Sequence, residues 1–418
     1  MKIITDPIYG VIDISPVLPM IEAPEFQALH DKQQLGLTAL VYRSATHTRF
    51  AHSVGAYHRT RLLTDRFLTQ GRITKVEAEA LCAFALYHDI GHGPLSHVTE
   101  DFYPDHKEKT AELVSNLRGP IELCGVDTDL MLQMARHEHP LAMAVYDKNV
   151  GTEKMDYLAR DGMNTILCQP AGLAYLPNYV LYHEGQIAID SKAIEPVLDL
   201  MNFYMRMFKE VYFRKALVIA QRMLHKAIHL MMVVGELDSQ RLSKMTASEL
   251  CGAMSVSKKK TVCHLYYCYK TRHLFKEAIV IRPEKFAEET RIAHKAIKVF
   301  TGDAVTMNKL LSAPHLQKAN HEKLLLLECD IARLANVASR DVLLVPPFNP
   351  ERFEAKDVPV LLNNGELCSL KANRPAHFAS MDEIAHSYQA LRVCVHPMHR
   401  ELFSEESVAC KVRDLLCS

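Results

Sequence analysis

Val76-Glu-Ala-Glu-Ala-Leu-Cys-Ala-Phe-Ala-Leu-Tyr-His-Asp-Ile-Gly-His-Gly-Pro94 is the stretch that decides the reading of this chain. Its first twelve residues are nearly all apolar or small, the pattern of a helix buried on most of its faces. The run ends on His88-Asp89. Gly91, Gly93 and Pro94 then break it. A buried helix therefore delivers an imidazole and a carboxylate side by side at its end, where both can turn toward one ion. Imidazole nitrogen with carboxylate oxygen suits borderline or hard divalent metals. Two ligands do not complete a site. Working outward, His52 in His47-Thr-Arg-Phe-Ala-His52-Ser-Val-Gly55 is the best third, and an acid on the helical stretch Thr152–Asp161 (TEKMDYLARD) is the best fourth.

The composition agrees with a site here. Of 22 histidines, seven (His47, His52, His58, His88, His92, His97 and His106) fall within 60 residues, where even spacing would put about three. Histidine is the usual choice for metal ligation and for proton transfer near neutral pH. Taken singly, each feature has a plainer explanation. A His-Asp dipeptide occurs by chance, His97 and His106 fit solvated loops, and TEKMDYLARD fits an amphipathic helix with i,i+3 and i,i+4 charge pairs. Their joint occurrence in order carries the metal reading.

The remaining arithmetic excludes several classes. With 418 residues, 48% hydrophobic and 23% charged, the chain can bury a large core and is not intrinsically disordered. Lys plus Arg equals Asp plus Glu at 49 each, so no global field favours nucleic acid or an anionic membrane. No apolar run approaches the roughly 20 residues of a membrane helix. The opening MKIITDPIYGVID lacks the layout of a signal peptide. The 11 cysteines are scattered without a CxxC pair, which predicts free thiols and a cytoplasmic setting.

Most of the chain reads as helix: 50–68, 76–87, 191–234 with a break near Tyr212, and stretches near 241–252, 284–299, 320–338 and 400–416. Strand signals are few. Tyr179–Asp190 reads as a hairpin turning at Glu184-Gly185, and Val358–Leu370 as one turning at Asn364-Gly365. Leu391–His396 is a third candidate. The Pro-rich stretch 345–353 marks a boundary. The expectation is a mainly α protein, with a helical body over 1–340 and a small mixed α/β cap over 341–418.

In order and spacing, these motifs resemble the HD-domain phosphohydrolases, and most closely their deoxynucleoside triphosphate triphosphohydrolase branch. The resemblance runs through Asp6-Pro-Ile-Tyr-Gly10, Phe26-Gln27, Gln34-Leu35-Gly36, His47 to Gly55, His88 to His97 and Lys154 to Asp161. It implies a metal-binding set of His52, His88, Asp89 and Glu153. The family has Asp where Glu153 stands, so the fourth ligand is one methylene longer; Asp156 is the alternative. The ion is a single divalent metal: Mn, Mg, Fe, Co, Ni or Zn.

The resemblance further implies that Arg49, His92, His97 and Lys154 touch phosphates. His97 would stabilise the α-phosphate or protonate the leaving oxygen, and His106 with Glu100 forms a histidine–acid pair beside it. Gln34, Tyr157 and Asp161 match positions that read the sugar 3′-hydroxyl, and Tyr212 one that packs near sugar and base. The implied reaction is hydrolysis of a deoxynucleoside triphosphate to deoxynucleoside and inorganic triphosphate. Rival readings are another phosphatase or phosphodiesterase on the same scaffold, a nucleotide sensor weakened at Glu153, and a nucleic-acid binder. The implied partners are a nucleotide substrate and, by analogy, further copies of the chain. Glu22, Ala28 and His30 depart from the family's guanine-effector positions, so that effector site is expected to be altered or absent.

Overall fold

The computed structural model describes residues 1–103, 105–293, 297–317, 320–349 and 355–417; the side chains of His97 and Ala293 lie outside the described set. The chain forms two compact units. One comprises 1–212, 242–247 and 355–381, the other 213–241, 248–354 and 382–418.

The first unit is a helical body. Helix α1 (Arg49–Thr69) starts at Thr48, whose hydroxyl accepts from the Ala51 N–H. Helix α2 (Lys75–Tyr87) starts in a reciprocal capping box: the Thr74 hydroxyl accepts from the Glu77 N–H at 3.2 Å, and the Glu77 carboxylate accepts from the Thr74 N–H at 2.7 Å. All but two residues from Ala78 to Tyr87 are buried, as the apolar pattern requires. Helices α3 (His106–Asn116), α4 (Thr128–Ala135), α5 (Thr152–Thr165) and α6 (Ile194–Met207) follow. Helix α1 lies against both α2 and α5. That contact puts the three segments singled out in the sequence next to one another.

Both expected hairpins form. Val180–His183 pairs antiparallel with Gln186–Asp190, and Glu184 and Gly185 take the positive φ values (49° and 80°) of a tight turn. Pro359–Leu361 pairs with Leu367–Ser369. The two hairpins share one four-stranded sheet, joined by parallel pairing of Ile189 with Val360 and Asp190 with Leu361. The division of the chain therefore differs from a single boundary at 340. Residues 355–381 return to the first unit because their hairpin completes a sheet begun at 180. A small hairpin, Ile3–Asp6 with Gly10–Asp13, opens the chain.

The second unit holds helices α7 (Lys215–Val233), α8 (Lys260–Lys270) and α9 (His321–Leu334). A five-residue π-helical turn, Phe208–Tyr212, supplies the break expected near Tyr212. The unit's sheet orders as Lys298–Gly302, Lys276–Pro283, Leu391–Val395, Val342–Val345. Leu391–Val395 is thus a central strand rather than part of a cap. The helix expected over 284–299 spans Glu284–Ala293, and Lys298 already belongs to a strand. Helix α7 corrects another expectation, being long and apolar enough by composition to cross a membrane. Most of its apolar window is buried, and the helix carries the buried Arg222 and Lys226. All 11 cysteines are free.

Candidate metal centre

Three elements converge at the centre. His52 lies on the first turn of α1, and His88 and Asp89 stand at the end of α2. Glu153 opens α5, whose buried face carries Asp156 and Arg160. Close approach of the helices depends on glycine. A Cβ on Gly55 would lie 1.9 Å from the Asp156 carboxylate, and one on Gly91 would lie 2.2 Å from the His106 carbonyl.

His52, His88 and Asp89 are all buried, and one ligand atom of each lies within 4.8 Å of the others. The Nε2 atoms of His52 and His88 face each other at 3.2 Å. On both rings Nδ1 is committed elsewhere. His52 Nδ1 lies 2.7 Å from the Asp156 carboxylate, and His88 Nδ1 lies 2.8 Å from the Ala85 carbonyl. An acceptor at Nδ1 fixes the proton there and leaves a lone pair on Nε2. Two lone pairs pointed at each other across 3.2 Å repel unless a cation lies between them. The Asp89 carboxylate flanks them, at 3.8 Å from His52 Nε2 and 3.5 Å from His88 Nε2. Two neutral imidazoles and a carboxylate fit a borderline divalent cation.

The electrostatics agree. Burial pushes the Asp89 carboxyl up, but Arg49 with the His88 and His92 imidazoles outweighs it and holds the group well below the usual carboxylate range. Burial lowers the His88 imidazole, against partial opposition from Asp89 and Glu153, which favours the neutral ligand form. Glu153 sits within the electrostatic reach of the cluster. Burial raises its carboxyl, His88 opposes the shift and Asp89 adds to it.

Asp156, the alternative fourth ligand, has a different job. It is fully buried and accepts from Arg160 through both oxygens at 3.0 and 3.1 Å as well as from His52. Both its oxygens are engaged, and it orients the His52 ring.

Of the predicted phosphate and acid–base residues, Arg49 and His92 contact Asp89, and Glu100 and His106 lie against His92. Arg49 donates to Asp89, and its Nε donates to Ser96 Oγ at 3.0 Å. His92 Nε2 lies 3.1 Å from Asp89, and His92 Nδ1 lies 3.2 Å from Glu100. His106 stacks on His92 with centroids 4.1 Å apart and reaches Glu100 at 3.8 Å. Burial and then the neighbouring His92 push the His106 imidazole down to about 4. The histidine–acid pair thus has a third member, His92. Nothing is described of the His97 side chain.

The expected sugar-reading residues also gather. Asp161 accepts from Tyr212 Oη at 2.7 Å and pairs with His47 Nε2 at 2.8 Å. The Gln34 N–H donates to the His47 carbonyl, and Gln34 Oε1 is a buried acceptor with no hydrogen-bond partner. The Tyr157 ring lies edge-on to His52 at 6.3 Å. Lys154 does not join the phosphate group. Its ammonium lies 3.5 Å from the centre of the Tyr204 ring and donates to the Lys148 carbonyl, and burial lowers it to about 7. At the expected effector positions, His30 stacks on Phe50 with centroids 3.7 Å apart.

Sequence reasoning missed four residues. His47 is the partner of Asp161, and Ser96 that of Arg49. Arg160 grips Asp156, and Asp6 in turn holds Arg160. Of these contacts, only the Asp156–Arg160 pair is legible in local spacing, as an i,i+4 pair.

Comparison with known proteins gives a consistent picture. Residues 49–166 match the HD domain and residues 176–303 the HD associated region, together more than half of the chain. A putative HD domain-containing protein of Acanthamoeba polyphaga mimivirus is 30% identical over 251 residues, 52% of this chain and 55% of that protein. The Dictyostelium discoideum homolog of deoxynucleoside triphosphate triphosphohydrolase SAMHD1 is 28% identical over 237 residues, 51% of this chain and 46% of its own. The SAMHD1 triphosphohydrolase of Bos taurus reaches 41% identity over 102 residues, 23% of this chain and 17% of its own. The chain thus spans about half the length of the first two relatives. Among solved structures, a phosphohydrolase of Bacteroides thetaiotaomicron shares the fold, with a TM-score of 0.68 and 20% identity over 95% of this chain and 100% of that one.

Proposed function

This chain belongs to the HD-domain phosphohydrolases, and on that premise we propose that it hydrolyses deoxynucleoside triphosphates to deoxynucleoside and inorganic triphosphate. The observation that carries the hydrolase reading is the opposed pair of imidazole lone pairs of His52 and His88 beside Asp89. These three, with Glu153 in the fourth position, would hold one divalent cation. Such a cation, when bound, acts as a Lewis acid and lowers the pKa of a coordinated water.

The chain's own residues account for the rest of the reading. Arg49 brings a fixed positive charge to the edge of the cluster, suited to charge-assisted bonds with a phosphate. His92, braced by Glu100 and stacked on His106, is placed to hand a proton to or from a group at Asp89. His97, from the turn that follows His92, is assigned the α-phosphate or the leaving 5′-oxygen. Gln34 Oε1, with no partner of its own, and the Asp161–Tyr212 pair offer polar groups to a sugar hydroxyl. The similarity to SAMHD1 triphosphohydrolases supports the triphosphate branch. The reading extends to a cytoplasmic homo-oligomer acting on free nucleotide.

One observation favours a second reading. Lys154, a phosphate contact by resemblance, is turned onto Tyr204 and the Lys148 carbonyl. Without it the pocket would suit a shorter phosphate chain or a phosphodiester. Incubating the purified protein with each deoxynucleoside triphosphate and with Mn, Mg, Co, Fe, Ni or Zn separates the two. Intact inorganic triphosphate is the expected product. Release of single phosphate or pyrophosphate supports the second reading, and no turnover with any metal sinks both.

A further inference from the structure

The Asp6-Pro-Ile-Tyr-Gly10 motif at the tip of the N-terminal hairpin plays no part in the chemistry above, yet an unbroken line of buried charges ties it to His52. Asp6 is 5% exposed, Arg160 1%, Asp156 0% and His52 0%. Asp6 Oδ1 accepts from the N–H groups of Ile8 at 2.8 Å and Tyr9 at 3.1 Å, which fixes the turn of the hairpin. Its other oxygen accepts from Arg160 at 2.8 Å. Arg160 grips Asp156 with two nitrogens, and Asp156 accepts from His52 Nδ1 at 2.7 Å. Tyr9 also lies against the relay: the Arg160 guanidinium is 5.8 Å from its ring centre, and its hydroxyl accepts from Arg59 at 3.1 Å.

We propose that the N-terminal hairpin is a positioning element of the metal centre, with Asp6 acting through Arg160 and Asp156 on His52. The proposal rests on His52 being a metal ligand, as argued above. One guanidinium is shared between two carboxylates, so Asp156 is only partly neutralised. It keeps negative character for the His52 N–H, and a carboxylate at Nδ1 makes Nε2 a better donor to a cation. With Asp6 removed, Asp156 monopolises Arg160, and His52 loses both basicity and a fixed orientation. The coupling is reciprocal. A cation at Nε2 strengthens the hydrogen bond to Asp156 and tightens the line back to the hairpin, so metal binding and hairpin docking stabilise each other.

Asp6→Asn is the discriminating variant. The amide oxygen keeps accepting from Ile8 and Tyr9, while the charge facing Arg160 disappears. Asp13→Asn, on the same hairpin but outside the relay, is the control. On the full chain stripped with chelator, Mn(II) affinity is measured by calorimetry, and hydrogen exchange over residues 3–13 is followed with and without Mn(II). Wild type and Asp13→Asn are expected to show Mn(II)-slowed exchange in the hairpin. Asp6→Asn is expected to bind Mn(II) about tenfold more weakly, the scale of a lost outer partner, and to show no metal-dependent protection. Equal affinity in Asp6→Asn, or an equal loss in Asp13→Asn, overturns the proposal and leaves the hydrolase reading standing. Mn(II)-linked protection without hydrolysis of any nucleotide overturns the triphosphohydrolase reading and leaves the relay standing. Failure of the wild type to bind Mn(II) overturns both.

Discussion

Two sets of buried charged side chains in this molecule solve the problem of burial in opposite ways. In the second unit, Glu328 is fully buried between two cations. It accepts from Arg222 at 3.0 Å and from the Leu344 N–H at 2.9 Å, and lies 2.7 Å from the Lys226 ammonium. The cations are satisfied in turn. Arg222 Nε donates to the Leu344 carbonyl, and Lys226 donates to the carbonyls of Ser339 and Val342. Helix α7, helix α9 and strand Val342–Val345 are thereby stitched together. In the first unit, the outer atoms of the cluster are just as well satisfied, but the inner ones are not: two imidazole nitrogens face each other with nothing to donate. Burial of charge alone therefore does not mark a site. The mark is a set of acceptors whose donors are all accounted for elsewhere.

The largest expected effect breaks the first set and spares the second. Asp89→Asn keeps shape and volume but removes the carboxylate charge that Arg49, His88 and His92 hold ionised. Turnover is expected to fall by at least about 10³-fold, since both the cation and the proton-transfer geometry at His92 depend on that charge. Metal content by elemental analysis should drop with it, while the unfolding transition of the second unit stays put. Retained metal and activity would refute the ligand assignment.

Glu328→Gln is the mirror experiment. It leaves Arg222 and Lys226 buried without a counter-charge, an arrangement that costs about 3–5 kcal/mol. Urea unfolding of the second unit should shift by that amount, with metal content per folded chain unchanged. A loss of metal in this variant would mean that the two networks are not independent.

How much of this was legible in the sequence follows from the same contrast. The His88-Asp89 pair was visible because a buried helix ended on it and three helix breakers followed. The turns at Glu184-Gly185 and Asn364-Gly365 were visible because left-handed backbone has its own residue code, and Gly365 takes φ 85°. Strand Lys276–Pro283 was not, because a strand covered on both faces reads as a continuous apolar run, which periodicity cannot separate from helix. The return of residues 355–381 to the first unit depends on pairing Ile189 with Val360, and no local signal encodes that register. Asp156 reads as a candidate ligand in the sequence because a carboxylate's spacing does not show whether an arginine has claimed both its oxygens. The partner that claims them, Arg160, is in turn held by Asp6, far away in the chain.

The smallest expected effect sharpens the comparison by titration. His106 stacks on His92, and burial together with that neighbour takes its imidazole from 6.5 down to about 4. The folded chain thus keeps His106 neutral where the unfolded chain would protonate it. Between about pH 6.5 and pH 4 the unfolded state binds the extra proton, so the contribution is whole above that window and is lost as pH falls through it. One such group gives a slope of at most about 1.4 kcal/mol per pH unit. His106→Gln, which does not titrate, should flatten the dependence of unfolding free energy on pH across that window and leave it unchanged above. An unaltered slope would mean that His106 is open to solvent protonation. The trio of His92, Glu100 and His106 would then carry a protonated His106 in the acid range as readily as the unfolded chain does.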